Sequence, residues 1–140
     1  MSLKKYHTPK TEIYQDEQGI IYVNFKDDKD EVEFDVSEAR NQLDTINLIT
    51  NGEKRHVIID TSMSFLSPTK EAKNLLAEYP LKKSEAIIVK HLHQRITVAF
   101  FLKISKRINQ HPIQLFTDKN KAYNWTVKQM QNEKVINDSL

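Results

Sequence analysis

The chain has 140 residues, with 21 Lys and Arg against 19 Asp and Glu, 39% hydrophobic residues, two Gly and no Cys, the composition of one ordinary globular domain. A chain of this length buries roughly two-thirds of its unfolded surface and needs no metal or disulfide staple, and the absence of Cys excludes disulfides, thiolate nucleophiles and Cys-ligated zinc. No apolar run approaches the roughly 20 residues of a membrane span and Met1 to Lys5 lead into no apolar signal core, so the expected setting is the cytoplasm.

Residues 1–10 read as a flexible leader to a single domain over 11–131. Thr11 to Gln15 and Ile20 to Phe25 alternate apolar and polar residues around Asp16-Glu17-Gln18-Gly19, predicting a β-hairpin with Gly19 in a left-handed turn position. A charged loop follows, in which Val32 and Phe34 could add a short strand. Asp35 with Glu38 three residues later forms a capping-box pattern, and Val36, Ala39, Leu43, Ile46 and Thr50 recur at helical spacing until Asn51-Gly52 supplies a left-handed stop. His56-Val-Ile-Ile-Asp60 is apolar without alternation, as in a strand covered on both faces of a parallel sheet. Ser67-Pro68 predicts an N-cap followed by Pro at the first helical position, with Ala72, Leu75, Leu76 and Tyr79 as the buried stripe and Pro80 as the limit of that helix.

Ala86 to Val89 forms the next predicted strand, His91 to Asn109 a helix, and Ile113 to Thr117 the last strand. Asp118 caps a final helix that buries Ala122, Trp125 and Met130, while residues 132–140 lack periodicity and read as a disordered tail. The predicted class is α/β: a mostly parallel sheet with an antiparallel N-terminal hairpin at its edge and about four helices. Within His91 to Asn109, adjacent Phe100 and Phe101 are 100° apart and cannot share one stripe. Phe101, Leu102 and Ile104 are therefore candidates for a pocket or for contact with a second copy of the chain.

Charge is divided unevenly. Twelve acids stand against three bases between Glu12 and Glu53, whereas seven bases stand against one acid between Lys82 and His111. Without interleaved aromatic residues or a recognisable motif, the basic stretch does not predict nucleic-acid binding. Two Gly in the whole chain exclude both the phosphate-cradling P-loop and the three-glycine dinucleotide fingerprint. His91-x-His93 is the closest His pair but lacks neighbouring carboxylates beyond Glu85, so it reads as solvated or capping rather than metal-binding. There is no nucleophile elbow, and neither an enzyme nor a cofactor is expected.

The junction from Asp60 to Thr69 carries the most information. A buried strand ends in Asp60, and a hydroxyl-rich loop delivers Ser62, Ser67 and Thr69 to the start of a helix. That is the carboxyl edge at which open α/β sheets place their sites, and a helix N-terminus favours added phosphate. With the element order, Val57-Ile-Ile-Asp60-x-Ser62 followed by Phe65-Leu66-Ser67 resembles the STAS domain of SpoIIAA-like anti-sigma-factor antagonists. The chain is also similar to an uncharacterised bacterial STAS-like branch. There the resemblance rests on the Glu12 to Asn24 hairpin, Asn51-Gly52, Phe100-Phe101-Leu102 and Leu115-Phe116-Thr117-Asp118-x-x-x-Ala122-x-x-Trp125, spanning about Thr11 to Met130.

The resemblance implies a non-enzymatic regulatory module that binds a protein partner, such as a regulatory kinase or an anti-sigma-type factor, near Asp60, Ser62, Ser67 and Thr69. Laid on the family's Asp-Ser-Ser-Gly, the segment Ser67-Pro68-Thr69-Lys70 keeps a hydroxyl only at Thr69, which falls on the phosphorylated position. Lys70 in place of Gly departs from the close docking of a kinase. The related lipid-binding core of Sec14-type domains implies an alternative, a small apolar ligand held near Phe101, Leu102 and Ile104.

Overall fold

A computed structural model of the chain describes residues 3–27, 33–63, 68–78, 82–90 and 111–139. Among these residues six strands form one sheet in sequential order: β1 (Tyr6–His7), β2 (Thr11–Gln15), β3 (Ile21–Phe25), β4 (Arg55–Asp60), β5 (Lys82–Ile88) and β6 (Ile113–Phe116). β1, β2 and β3 pair antiparallel, and β3 through β6 pair parallel. Three helices occur among the described residues: α1 (Val36–Thr50), α2 (Lys70–Glu78) and α3 (Lys119–Ser139). The predicted helix over 91–109, with His91, His93, Phe100, Phe101, Leu102 and Ile104, lies outside them.

The alternation of the hairpin sorts its side chains between two cores. On one face Ile13, Ile21, Val23 and Phe25 pack with Val57 and with Ala39, Leu43 and Ile46 of α1 and Ala72 of α2. On the other, Ile20, Ile58, Ala86 and Ile88 pack with Ala122 of α3, joined by the half-buried Phe116, Trp125 and Met130. The predicted turn is present: Gly19 has φ +89°, and Asp16 Oδ1 accepts from the N–H groups of Gln18 and Ile20 at 2.9 Å each.

α1 begins and ends where its sequence signals stand. Asp35 accepts from Glu38 N at 3.0 Å, and Asn51 closes the helix at φ 56°, satisfying end groups that otherwise lack partners. The Glu38 side chain is used differently from a capping box. Its Oε1 accepts from Lys10 N at 2.6 Å and from Thr8 Oγ1 at 3.1 Å, which ties the N-terminal segment to α1. Burial pushes the Glu38 carboxyl above its ordinary range, against the hydrogen bonds from Thr8, Lys10 and Gln42. This tie also corrects the expected flexible leader: residues 1–10 include strand β1, and Thr8 and Lys10 are buried. Val36, by contrast, is exposed rather than part of the apolar stripe.

Two further boundaries differ from the sequence reading. β5 starts at Lys82 rather than Ala86, because Lys82, Ser84 and Glu85 find buried polar partners that offset their desolvation. α3 runs to Ser139, through the stretch 132–140 read as a disordered tail, and Glu133 within it is bonded to two strands.

Candidate functional site

Two groups of polar side chains sit at opposite ends of β4 and β5. At the carboxyl end, β4 stops at the buried Asp60. Its Oδ1 accepts from Ser62 N at 2.9 Å and Ser62 Oγ at 2.6 Å, and its Oδ2 lies 3.3 Å from Lys119 Nζ at the start of α3. Thr61 joins the same turn to β5, since its Oγ1 donates to Ile88 O at 2.8 Å. A short polar chain with a local backbone partner favours such turns. The turn leaves Met63 with 53% of its surface exposed.

Thr69 caps α2. Its Oγ1 accepts from Ala72 N at 3.2 Å and its carbonyl accepts from Lys73 N at 2.9 Å. Pro68 precedes the cap instead of opening the helix, because the chain first pairs alongside Phe34: Pro68 and Phe34 form a parallel bridge, and Thr69 N donates to Phe34 O at 2.9 Å. Ser67 lies outside the described residues. Asp60 and Ser62 are thus joined directly, while the hydrogen bonds of Thr69 run to Phe34 and into α2.

At the amino end, His56 and Ser84 are cross-strand neighbours on β4 and β5, and His56 Nδ1 stands 2.7 Å from Ser84 Oγ. The other ring nitrogen, Nε2, is 2.9 Å from Glu133 Oε2 of α3, and Lys83 Nζ donates to Glu133 Oε1 at 2.6 Å. Lys83 and, more weakly, His56 hold the Glu133 carboxyl below its ordinary range, against partial burial. This chain of serine, histidine and carboxylate is not a nucleophilic triad. Ser84 is fully buried, so a substrate cannot reach its hydroxyl, and the nucleophile in a triad must be exposed to the bond it attacks. The group instead fastens α3 to the sheet.

Beside it opens a cleft of about 430 Å³ whose walls are the β2–β3 turn, the first residues of β4, Lys83 and the Met130 to Lys134 part of α3. Its lining is mostly polar and charged, which does not suit the expected apolar ligand, and Phe101, Leu102 and Ile104 lie outside the described residues. Tyr123 Oη donates to Gln18 Oε1 at 3.0 Å, connecting α3 to the turn. Burial and Asp16, whose Oδ2 accepts from Tyr22 Oη at 3.1 Å, push the Tyr22 phenol well above its ordinary range.

A third cluster lies deeper on the same half of β5. Lys82 Nζ and His111 Nε2 are each 3.2 Å from Glu85 Oε1, and all three residues are buried. Desolvation raises the Glu85 carboxyl, but the Lys82 charge and the His111 hydrogen bond outweigh it and hold the group below its ordinary range. Glu85 Oε2 has no hydrogen-bond partner among the described residues.

The sequence offered one missed signal for these groups: Ala122, Thr126, Met130 and Glu133 follow 4, 4 and 3 spacing, which places Glu133 on the inward stripe of α3. Among the described residues no three His, Asp or Glu are grouped to hold a metal ion, and no helix is long and apolar enough to cross a membrane.

Comparison with protein families places this architecture. The model of DUF7793, a domain of unknown function, matches residues 14–130. The chain belongs to the DUF7793 family. Among solved structures, the DUF7793 domain is similar to an uncharacterised protein of the DUF3478 family with a SpoIIAA-like fold, from Shewanella loihica PV-4. The TM-score is 0.51 at 12% sequence identity, over 89% of this chain and 92% of that one. The likeness is one of fold, and the DUF7793 domain has the SpoIIAA-like architecture, an α/β sheet edged by an antiparallel hairpin. No functionally curated protein matches its sequence.

Proposed function

We propose that this domain is a non-enzymatic regulatory module that docks a protein partner on the carboxyl edge of its sheet, at the Asp60 to Met63 turn and the start of α2. The observation that carries this reading is the turn itself. A buried carboxylate fixes its backbone through Ser62, and the turn so fixed holds Met63 largely in solvent. An apolar side chain on a rigid polar turn supplies contact area at a small ordering cost, and the flexible thioether adapts to the partner's surface. The SpoIIAA-like fold, resembling that of regulatory STAS domains, supports the same reading.

Thr69 gives this surface a means of control. A phosphate on its Oγ would stand at the N-terminus of α2, where free amides and the helix dipole favour negative charge, so the domain would stay folded while the docking surface gained charge.

The test begins with capture of a partner from an extract of the native host. The purified partner is then titrated against wild type, Met63→Asp, Thr69→Glu and Leu48→Asp, the last on the exposed face of α1. Met63→Asp and Thr69→Glu are expected to weaken binding at least ten-fold and Leu48→Asp to leave it unchanged. Equal affinity for all four proteins would sink the docking surface, and an unchanged affinity for Thr69→Glu alone would remove the control.

A further inference from the structure

We propose that the cleft at the amino edge of the sheet binds a small oxyanion, the carboxylate or phosphate head of a polar metabolite, between Gln15, Gly19 and Arg55. This site lies at the opposite end of β4 and β5 from the docking turn and is independent of it. Its volume of about 430 Å³ falls in the range of small-molecule sites.

Gly19 is the informative residue. Its φ of +89° is required by the hairpin turn, but its missing side chain also keeps a space open: a Cβ there would stand 3.6 Å from Gln15 Nε2 and 3.9 Å from Arg55 Nε. Two side-chain nitrogens that carry N–H groups, one from β2 and one from β4, therefore border the same space beside the turn.

The remaining bonds of Arg55 leave this arrangement available. Its Nη1 donates to Lys54 O and its Nη2 to Glu53 Oε2, both exposed contacts with residues next to it in sequence, of the kind that contributes little. Nε is the guanidinium nitrogen beside Gly19, and an arginine presents several donors in a fixed plane.

Charge and shape agree with an anion. The lining contains three cations, Arg55, Lys83 and Lys134, against two acids, Glu17 and Glu133, an excess of one positive charge among the lysines, arginine and glutamates that line it. The Glu133 carboxylate is already held by His56 and Lys83, whereas Lys134 has no ion pair among the described residues. Met130 adds an apolar patch to the lining against which a short carbon skeleton can rest. Neighbouring cations with convergent donors select anions and lose strength as salt screens them.

The experiment titrates the full chain with inorganic phosphate and, separately, with succinate at low ionic strength, following backbone amide chemical shifts. Saturable shifts centred on Gln18, Gly19 and Arg55 are expected with at least one probe, and which probe binds identifies the head group. Arg55→Gln should weaken that binding about ten-fold or more, Lys134→Gln should weaken it several-fold, and Met63→Asp should not change it. Thermal melting establishes that each variant is folded. Should Arg55→Gln not fold, Lys134→Gln on the exposed part of α3 decides alone. Absence of saturable shifts with both probes, or full affinity in every folded cleft variant, would overturn the proposal.

Discussion

The two ends of β4 and β5 are built from similar residues by different means. At the carboxyl end the turn and the cap are closed by near neighbours, Asp60 with Ser62 two positions on and Thr69 with Ala72 three positions on, while ties from Asp60 to Lys119, Thr61 to Ile88 and Thr69 to Phe34 anchor them to the fold. At the amino end they reach across the chain, from His56 to Glu133 over 77 positions, from Lys83 to Glu133 over 50 and from Gln18 to Tyr123 over 105. A turn closed by local bonds keeps its shape and can present a side chain outward. A site closed by distant bonds gathers several elements around a space, and the cleft is found at that end.

This contrast predicts that the largest stability effects lie in the amino half. Glu85→Ala leaves Lys82 and His111 buried without their shared carboxylate, a change that costs about 3–5 kcal/mol where a buried pair is broken. Chemical denaturation should show that loss. The double variant Glu85→Leu with Lys82→Met should recover much of it, because neither of the two buried charges is then present. A loss below about 1 kcal/mol for Glu85→Ala would mean that the cluster is solvated.

At the carboxyl end the expected losses are smaller and local. Thr69→Ala should cost about 1 kcal/mol, the usual value of an N-cap hydroxyl, and Thr69→Ser should restore most of it. A neutral Thr69→Ala in equilibrium unfolding would transfer the capping role away from Thr69 and break the assignment of local closure.

Glu133→Gln should act more weakly still on global stability, about 0–1 kcal/mol for a partly exposed ion pair, while raising hydrogen exchange in the last turns of α3. The pH dependence has a definite sign. The Glu133 carboxyl is held below its ordinary 4.5 in the folded chain, so its contribution is complete above 4.5 and disappears as pH falls through the folded value. Wild type should therefore lose helix protection on acidification below about 4.5, and Glu133→Gln should show less of that loss. The same acid limb in both proteins would detach the effect from Glu133.

The smallest effect to be read is the order of titration. Glu38, raised by burial, should take up its proton above 4.5, whereas Glu85 and Glu133 should do so below it. The sign for Glu38 is opposite to that for the other two: its folded state binds the proton more tightly, so its contribution to stability falls as pH rises from 4.5 through the folded value. Carboxylate carbon shifts measured across the acid range would resolve the three. Coincident titrations would mean that the three carboxylate environments do not differ electrostatically.

The sequence by itself determined the hairpin around Gly19, the ends of α1 at Asp35 and Asn51, the β4 run and the Asp118 cap, whose carboxylate accepts from Asn120 N and Lys121 N. Each depends on residues within a few positions of one another, so composition and spacing carry the physics. The resemblance to SpoIIAA-like domains followed from the order of those elements. What tertiary structure decided was the fate of polar residues that need a distant partner. Lys82 and Glu85 stood before the strand expected from Ala86 until their burial beside His111 made them part of it, Glu38 read as half of a capping box until Thr8 and Lys10 claimed it, and Glu133 read as tail until His56 and Lys83 bound it. An isolated charge favours water, and only a partner brought from elsewhere in the chain offsets the cost of removing it. The cleft follows for the same reason: its walls adjoin only after the sheet has placed the β2–β3 turn beside Arg55 and packed α3 against both.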